Sequence, residues 1–205
     1  MNHTASPGIE RCVCGPGFEN LAEGVCHQCA AGKFRSHRTA VVENGVLTAC
    51  LPCPAHTYCP LGSVLPIPCP VDEISLPGST NKGDCTCATG RGRSVDGECA
   101  FCAHGFFSPG GTNLACQQCP LNTNTSLGAT TISNCTCTPG HGLAQDSACE
   151  PCESGFFAVG GSNAACVHCG FGTVTLPTLA AASPDSCQCD AARGLGLSSL
   201  FINTN

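Results

Sequence analysis

Tryptophan is absent from this 205-residue sequence, and tyrosine and methionine occur once each. Charged residues make up 11%, against a usual share of about 25%. Only 8 residues are Lys or Arg and they form no basic run, so the footprint of a nucleic-acid binder is missing. No apolar run approaches the ~18 residues that a membrane-spanning helix requires. The opening MNHTASPGIERC lacks the apolar segment of about 7–15 residues found in a secretory leader. The chain therefore has too little apolar bulk for a large core. It also has too little charge to resemble most disordered chains.

Cysteine is what the sequence has in abundance: 22 residues, alongside 25 Gly and 15 Pro. A cysteine share near a tenth marks a disulfide scaffold. Each bridge contributes about 2–4 kcal/mol, chiefly by restricting the unfolded chain. Disulfides call for an oxidising compartment, which places the protein outside the cell or at its surface. Without a leader of its own, the chain is then expected to be a piece of a longer secreted protein.

The cysteines repeat in a fixed order. CVCGPGFENLAEGVCHQC (Cys12–Cys29), CTCATGRGRSVDGECAFC (Cys85–Cys102) and CTCTPGHGLAQDSACEPC (Cys135–Cys152) each read C-x-C, eleven residues, C, two residues, C. C-x-C pairs begin at 12, 85, 135 and 187, so the steps are 73, 50 and 52 residues, the first with an insertion. A fixed period means one structural unit copied in tandem. CAHGFFSPGGTNLACQQC (Cys102–Cys119) aligns without gaps to CESGFFAVGGSNAACVHC (Cys152–Cys169). Its G-F-F, two residues, G-G predicts a strand, a turn and a return strand. Phe106, Phe107, Phe156 and Phe157 are the expected small core, and Gly110, Gly111, Gly160 and Gly161 the turn residues. Helical periodicity is weak. Leu176–Ser186 has room for one helical turn between Pro177 and Pro184, and the rest reads as short strands and turns.

C-x-C-x-x-G followed by a variable stretch and a cysteine resembles the C-terminal half of an EGF-like module. That resemblance implies the bridges Cys14–Cys26, Cys87–Cys99 and Cys137–Cys149, with Gly17, Gly90 and Gly140 at the family's glycine. The aromatic that often follows is present as Phe18 but replaced by Arg91 and His141. The segments CQQCPLNTNTSLGATTISNCTC (Cys116–Cys137) and CLPCPAHTYCPLGSVLPIPCPVDEISLPGSTNKGDCTC (Cys50–Cys87) resemble ephrin-receptor-like cysteine-rich repeats of the growth-factor-receptor superfamily. Such repeats occur in receptors, matrix proteins and protist surface proteins.

The resemblance implies a small disulfide-rich fold: tandem modules of short β-hairpins and loops forming an extended rod. Its boundaries are residues 1–28 (the last half of a module), 29–101 (a full module with an insertion and an extra cysteine pair), 102–151 (a full module), 152–190 (a truncated module) and 191–205 (a non-repeat tail). The EGF-like frame further implies Cys29–Cys53, Cys50–Cys85, Cys102–Cys119, Cys116–Cys135, Cys152–Cys169 and Cys166–Cys187. Cys59 and Cys69 are then left to close a Pro-rich loop on themselves, and Cys12 and Cys189 have no partner. A local alternative joins Cys99–Cys116 and Cys102–Cys119. Sequence does not settle connectivity.

Other chemistry competes poorly. Cys26–Cys29 with Cys50–Cys53, and Cys99–Cys102 with Cys116–Cys119, lie near zinc-ribbon spacing, but zinc leaves the C-x-C pairs unexplained. Six tandem C-x-x-C copies point to a scaffold rather than a redox centre. His3, His27, His37, His56, His104, His141 and His168 show no metal or catalytic spacing. The junctions His27–Gln28, Ala100–Phe101 and Glu150–Pro151 lack the acidic cluster of calcium-binding EGF-like modules. No catalytic residue, metal or cofactor is expected. Sequons at Asn2, Asn124 and Asn134 offer N-glycan attachment.

The expected function is thus a non-enzymatic extracellular structural protein of a cell-surface, matrix or appendage assembly. Its expected partners are copies of itself, including head-to-tail filaments, or neighbouring extracellular proteins, with glycans attached. The alternatives are a ligand-binding receptor ectodomain, using Lys33–Ala49 or the Cys59–Cys69 loop, and an intracellular zinc protein.

Overall fold

The computed structural model describes residues 14–20, 25–36, 42–43, 46–47 and 49–190. Among them ten disulfides each join a cysteine to the next cysteine in the chain: Cys14–Cys26, Cys29–Cys50, Cys53–Cys59, Cys69–Cys85, Cys87–Cys99, Cys102–Cys116, Cys119–Cys135, Cys137–Cys149, Cys152–Cys166 and Cys169–Cys187. No bridge crosses another, so the fold is a series of small closed loops, numbered first to tenth below.

All ten loops start the same way. The third residue after the opening cysteine has positive φ: Gly17, Gly32, His56, Asp72, Gly90, Gly105, Asn122, Gly140, Gly155 and Gly172. Glycine enters this region at no steric cost, and Asn, Asp and His are the side chains that best tolerate it. The turn is closed from the first x of each C-x-x unit, as in Phe106 N–H to Ala103 O (3.1 Å) and His141 N–H to Thr138 O (3.0 Å). A strand of two or three residues follows the turn.

That strand is paired by the residues linking one loop to the next. Lys33–Phe34 pairs with Leu51–Pro52, Phe106–Phe107 with Gln117–Gln118, and Phe156–Phe157 with Val167–His168. At the C-x-C links, Glu73–Ile74 pairs with Thr86–Cys87 and Thr123–Asn124 with Thr136–Cys137. The two residues between adjacent cysteines are thus return strands. Away from the C-x-C links the next opening cysteine then donates its N–H to the carbonyl of the left-handed residue, as in Cys53 to Gly32, Cys69 to His56, Cys119 to Gly105 and Cys152 to Gly140 (2.8–3.0 Å). At the C-x-C links the following residue does so, Ala88 to Asp72 and Thr138 to Asn122 (3.0 and 2.9 Å). Every sheet among the described residues is two-stranded.

Successive loops stack through backbone. The opening-cysteine carbonyl accepts an N–H from a residue further along: Gly62 to Cys29, Gly78 to Cys53, Gly111 to Cys87, Gly128 to Cys102, Gly161 to Cys137 and Ala180 to Cys152 (2.8–3.0 Å). The approach is close. A Cβ placed on Gly17, Gly32 or Gly140 would lie under 3.0 Å from the carbonyl oxygen of Gly62, Gly78 or Ala180.

Burial belongs mainly to sulfur. Cys29, Cys53, Cys59, Cys85, Cys87, Cys102, Cys137 and Cys152 are all fully enclosed. Two small apolar clusters form: Phe34 with Cys53, Cys59 and Leu51, and Phe107 with Cys119, Ala129 and Cys135. Of the expected core phenylalanines, Phe107 is buried and Phe156 and Phe157 are half-buried, whereas Phe106 faces solvent. Adjacent strand residues face opposite sides, so a single Phe-Phe step presents only one ring to the core.

The chain divides into two compact units, residues 1–100 with 110–115 and residues 101–109 with 116–205. The expected helical turn in Leu176–Ser186 is confined to a single 3₁₀ turn, Pro184–Ser186. Matching turns precede the other C-x-C pairs at Lys82–Asp84 and Ile132–Asn134.

The pairing implied by the EGF-like frame is corrected at most positions. Cys29–Cys53, Cys50–Cys85, Cys59–Cys69, Cys102–Cys119, Cys116–Cys135, Cys152–Cys169 and Cys166–Cys187 are replaced by bonds between consecutive cysteines. Neither does the alternative Cys99–Cys116 form, since Cys99 is bonded to Cys87. Cysteines three apart along a return strand face opposite sides. Cys116 therefore closes its own loop onto Cys102 while Cys119 opens the next towards Cys135. In the Pro-rich segment the register Thr57↔Pro68, Tyr58↔Ile67 sets Cys69 against His56, three rungs from Cys59.

Candidate functional site

The C-x-x-C units have no thiolate to offer. Cys26, Cys29, Cys50 and Cys53, the set nearest zinc-ribbon spacing, are bonded to Cys14, to each other across Cys29–Cys50, and to Cys59. A dithiol centre would bond the two cysteines of one C-x-x-C to each other, yet Cys99 and Cys102 go to Cys87 and Cys116. Among the described residues no three His, Cys, Asp or Glu side chains gather as a metal-binding group. Cys189 is exposed and unbonded; Cys12 lies outside the described residues.

The histidines serve the loops. His56 holds a left-handed turn position (φ 64°). His104 Nδ1 lies 2.9 Å from Thr125 O, and His141 Nδ1 lies 3.1 Å from Thr138 Oγ1. His168 accepts the Gly170 N–H at Nδ1 (2.9 Å) and stands edge-on to Phe156, with ring centres 4.9 Å apart. His27 is exposed, while His3 and His37 fall outside the described residues.

One polar cluster is built with care. Arg93 donates to Glu73 Oε1 (2.6 Å), to Gly97 O (2.7 Å) and to Asn113 Oδ1. Asn113 in turn donates to Cys85 O (3.2 Å). Beside it Arg91 pairs with Asp72 at 2.8 Å. The Glu73 side chain is only 5% exposed, so its charge relies on Arg93. These partners are all internal, which makes the cluster a strut rather than a ligand site.

Asp84 ends the 3₁₀ turn Lys82–Asp84 as a cap. Its Oδ2 accepts the Thr80 N–H (2.6 Å), the Thr80 hydroxyl (2.9 Å) and the Asn81 N–H (3.2 Å). These bonds, the Thr80 backbone bond first, hold its carboxyl below the ordinary carboxylate range. Asn134 fills the same place three loops later, its Oδ1 accepting the N–H groups of Thr130 (3.1 Å) and Thr131 (3.0 Å).

The segment between Cys59 and Cys69 lies outside the ten closed loops and links the third to the fourth. Leu61, Val64, Leu65 and Ile67 all stand exposed there, with Leu61 at 65% and Leu65 at 62%. Four exposed apolar side chains within one short segment form a patch of the kind that interaction sites use. It follows the extra loop, Cys53–Cys59, that interrupts the three-loop period. Of the other expected surface, Lys33–Ala49, the structure describes parts, including a small hairpin of Val42–Glu43 against Val46–Leu47. Of the sequons, Asn124 and Asn134 are exposed; Asn2 is outside the described residues.

A family model described as tyrosine-protein kinase ephrin type A/B receptor-like matches residues 92–135. The match runs from the fifth loop through the sixth to the end of the seventh. The chain carries tandem cysteine-rich repeats of this receptor-like type, and the same loop pattern extends on both sides of the matched stretch. No curated protein matches the chain.

Proposed function

We propose that this chain is a non-enzymatic, extracellular, receptor-like scaffold in which disulfide loops hold a surface for protein contact. The observation that carries the proposal is the run of ten consecutive-cysteine bridges, a covalent frame that persists only in an oxidising compartment. The matched family is a receptor cysteine-rich domain and not an enzyme class, which supports the same reading. The zinc alternative gains nothing, because the cysteines it needs are spent on bridges. Among the described residues no helix is long and apolar enough to cross a membrane.

The finer role is a spacer within a cell-surface or matrix assembly, contacting neighbouring proteins or further copies of itself. The ligand-binding version of this reading is favoured by the exposed apolar side chains Leu61, Val64, Leu65 and Ile67, which lie closer together in sequence than those the regular loops expose. Non-reduced peptide mapping of secreted protein tests the scaffold directly. Bridges between consecutive cysteines are expected, and free thiols with stoichiometric zinc would sink it. Sizing by light scattering, compared between the native chain and Leu61→Ser with Leu65→Ser, tests self-contact. A mass that stays monomeric at all concentrations rules out self-assembly.

A further inference from the structure

The seventh loop, Cys119–Cys135, differs from its counterparts at two surface positions. Asn124-Thr125-Ser126 and Asn134-Cys135-Thr136 are both N-x-S/T sequons. The strand register places Asn124 directly opposite Thr136, so the asparagine of the first sequon faces the hydroxyl residue of the second. Thr136 Oγ1 also donates to Asn124 O (3.4 Å). Both asparagines are exposed, and both line one shallow depression with Thr125, Ser126 and Thr136. Side chains directly opposite across a strand pair share a face.

Each side chain is held by its oxygen and leaves its nitrogen available. Asn124 Oδ1 accepts the Thr125 N–H at 2.8 Å. Asn134 Oδ1 accepts the Thr130 and Thr131 N–H groups at 3.1 and 3.0 Å and their hydroxyls at 3.4 and 3.2 Å. Among the described residues neither Nδ2 has a hydrogen-bond partner. The other C-x-C loops lack this arrangement. The cap position is Asp84 in the fourth loop and Ser186 in the tenth, and the strand residues matching Asn124 are Ile74 and Val174.

We propose that Asn124 and Asn134 are a paired N-glycan attachment face on the seventh loop. The proposal rests on the extracellular reading, since the donor is a lipid-linked oligosaccharide diphosphate of the secretory pathway. In each transfer a bond forms between Nδ2 and the anomeric carbon of the first sugar. The bond from that carbon to the diphosphate oxygen breaks, Nδ2 loses one proton, and the lipid diphosphate leaves. Because Oδ1 is untouched, the Asn134 cap survives glycosylation. The two sites differ in timing. Cys135 is the middle residue of the second sequon and is bonded to Cys119, so Asn134 must be loaded before that bridge closes. The Asn124 sequon contains no cysteine.

The test is expression of the full chain behind a secretion leader in eukaryotic cells, followed by peptide-N-glycosidase release in heavy-oxygen water and peptide mass spectrometry. Both asparagines are expected to carry the label. Asn124→Gln and Asn134→Asp should each remove one glycan, the Asp retaining the cap as Asp84 does. A brief reductant pulse during synthesis should raise occupancy at Asn134 and leave Asn124 unchanged. A secreted, fully bridged protein with either asparagine unmodified overturns the pair while the scaffold reading stands. A chain with free thiols and no glycan overturns both.

Discussion

The fifth and eighth loops, Cys87–Cys99 and Cys137–Cys149, share a backbone and differ in nearly everything attached to it. Both open with a left-handed glycine, Gly90 or Gly140, and continue into a three-residue strand, Arg91–Arg93 or His141–Leu143. In both, the strand's last N–H reaches an equivalent carbonyl, Arg93 to Leu114 and Leu143 to Ala164 (2.9 Å each). In both, an asparagine side chain donates to the cysteine before the strand, Asn113 to Cys85 (3.2 Å) and Asn163 to Cys135 (3.1 Å). The fifth loop then adds two ion pairs, Arg91–Asp72 and Arg93–Glu73. The eighth has Leu143 where the fifth has Arg93, and Asn163 Oδ1 instead takes the Cys137 N–H (3.1 Å). A disulfide, a left-handed turn and one asparagine amide bonded to the backbone therefore suffice for the backbone. Side-chain chemistry is left to vary between copies.

The largest effect comes from removing the shared part. Cys137→Ser with Cys149→Ser, or Cys87→Ser with Cys99→Ser, should each cost about 3 kcal/mol for a loop of this size. Hydrogen exchange should show protection lost in the loop affected, and equal losses in the two loops would support a common backbone logic. Gly140→Ala comes next. It places a methyl in the left-handed region and against Ala180 O, at a cost on the order of 2–3 kcal/mol. Gly155→Ala, whose nearest neighbour is Thr173 O at 3.3 Å, should cost about 1 kcal/mol. A thermal-shift series that ranks them the other way would break the stacking argument.

Converting one loop into the other gives a smaller effect. Arg93→Leu leaves the nearly enclosed Glu73 carboxylate without its partner and should cost on the order of 1–3 kcal/mol. Leu143→Arg, facing no acidic counterpart of Glu73 among its described neighbours, should cost less. Chemical denaturation of the two variants would show whether the ion pair is a specific feature of the fifth loop.

The smallest effect concerns the caps. The Asp84 carboxyl is held below its ordinary pKa, so its folded form favours the charged state. Its contribution is present above the ordinary carboxylate pKa and disappears as pH falls through the lowered one. Exchange protection of the Thr80 and Asn81 amides should fall over that acid range. Asp84→Asn, which copies Asn134, should make it pH-independent.

Much of the frame was legible in the sequence because it is written in cysteine and glycine. The C-x-x-G openings and the Gly-Gly steps at Gly110–Gly111 and Gly160–Gly161 correspond to left-handed turn positions. His56, Asp72 and Asn122 occupy the same left-handed position, and reading them beside the glycines would have revealed ten identical openings. The 3₁₀ turns Lys82–Asp84 and Ile132–Asn134 were not legible, because three residues carry no periodicity.

The sequence by itself determined that covalent loops, and not an apolar core, hold this protein, because it contains 22 cysteines and almost nothing large to bury. It also determined where the chain reverses, since a left-handed backbone selects Gly, Asn, Asp or His wherever it occurs. Only the tertiary structure decided which cysteines bond. Several partners for each cysteine lie within similar spacing, and the choice depends on which sulfur the return strand turns towards its own loop. The same is true of the Arg93–Glu73 strut and the Asn124–Thr136 face. Both join residues at least twelve positions apart that come together only after the loops have closed and stacked.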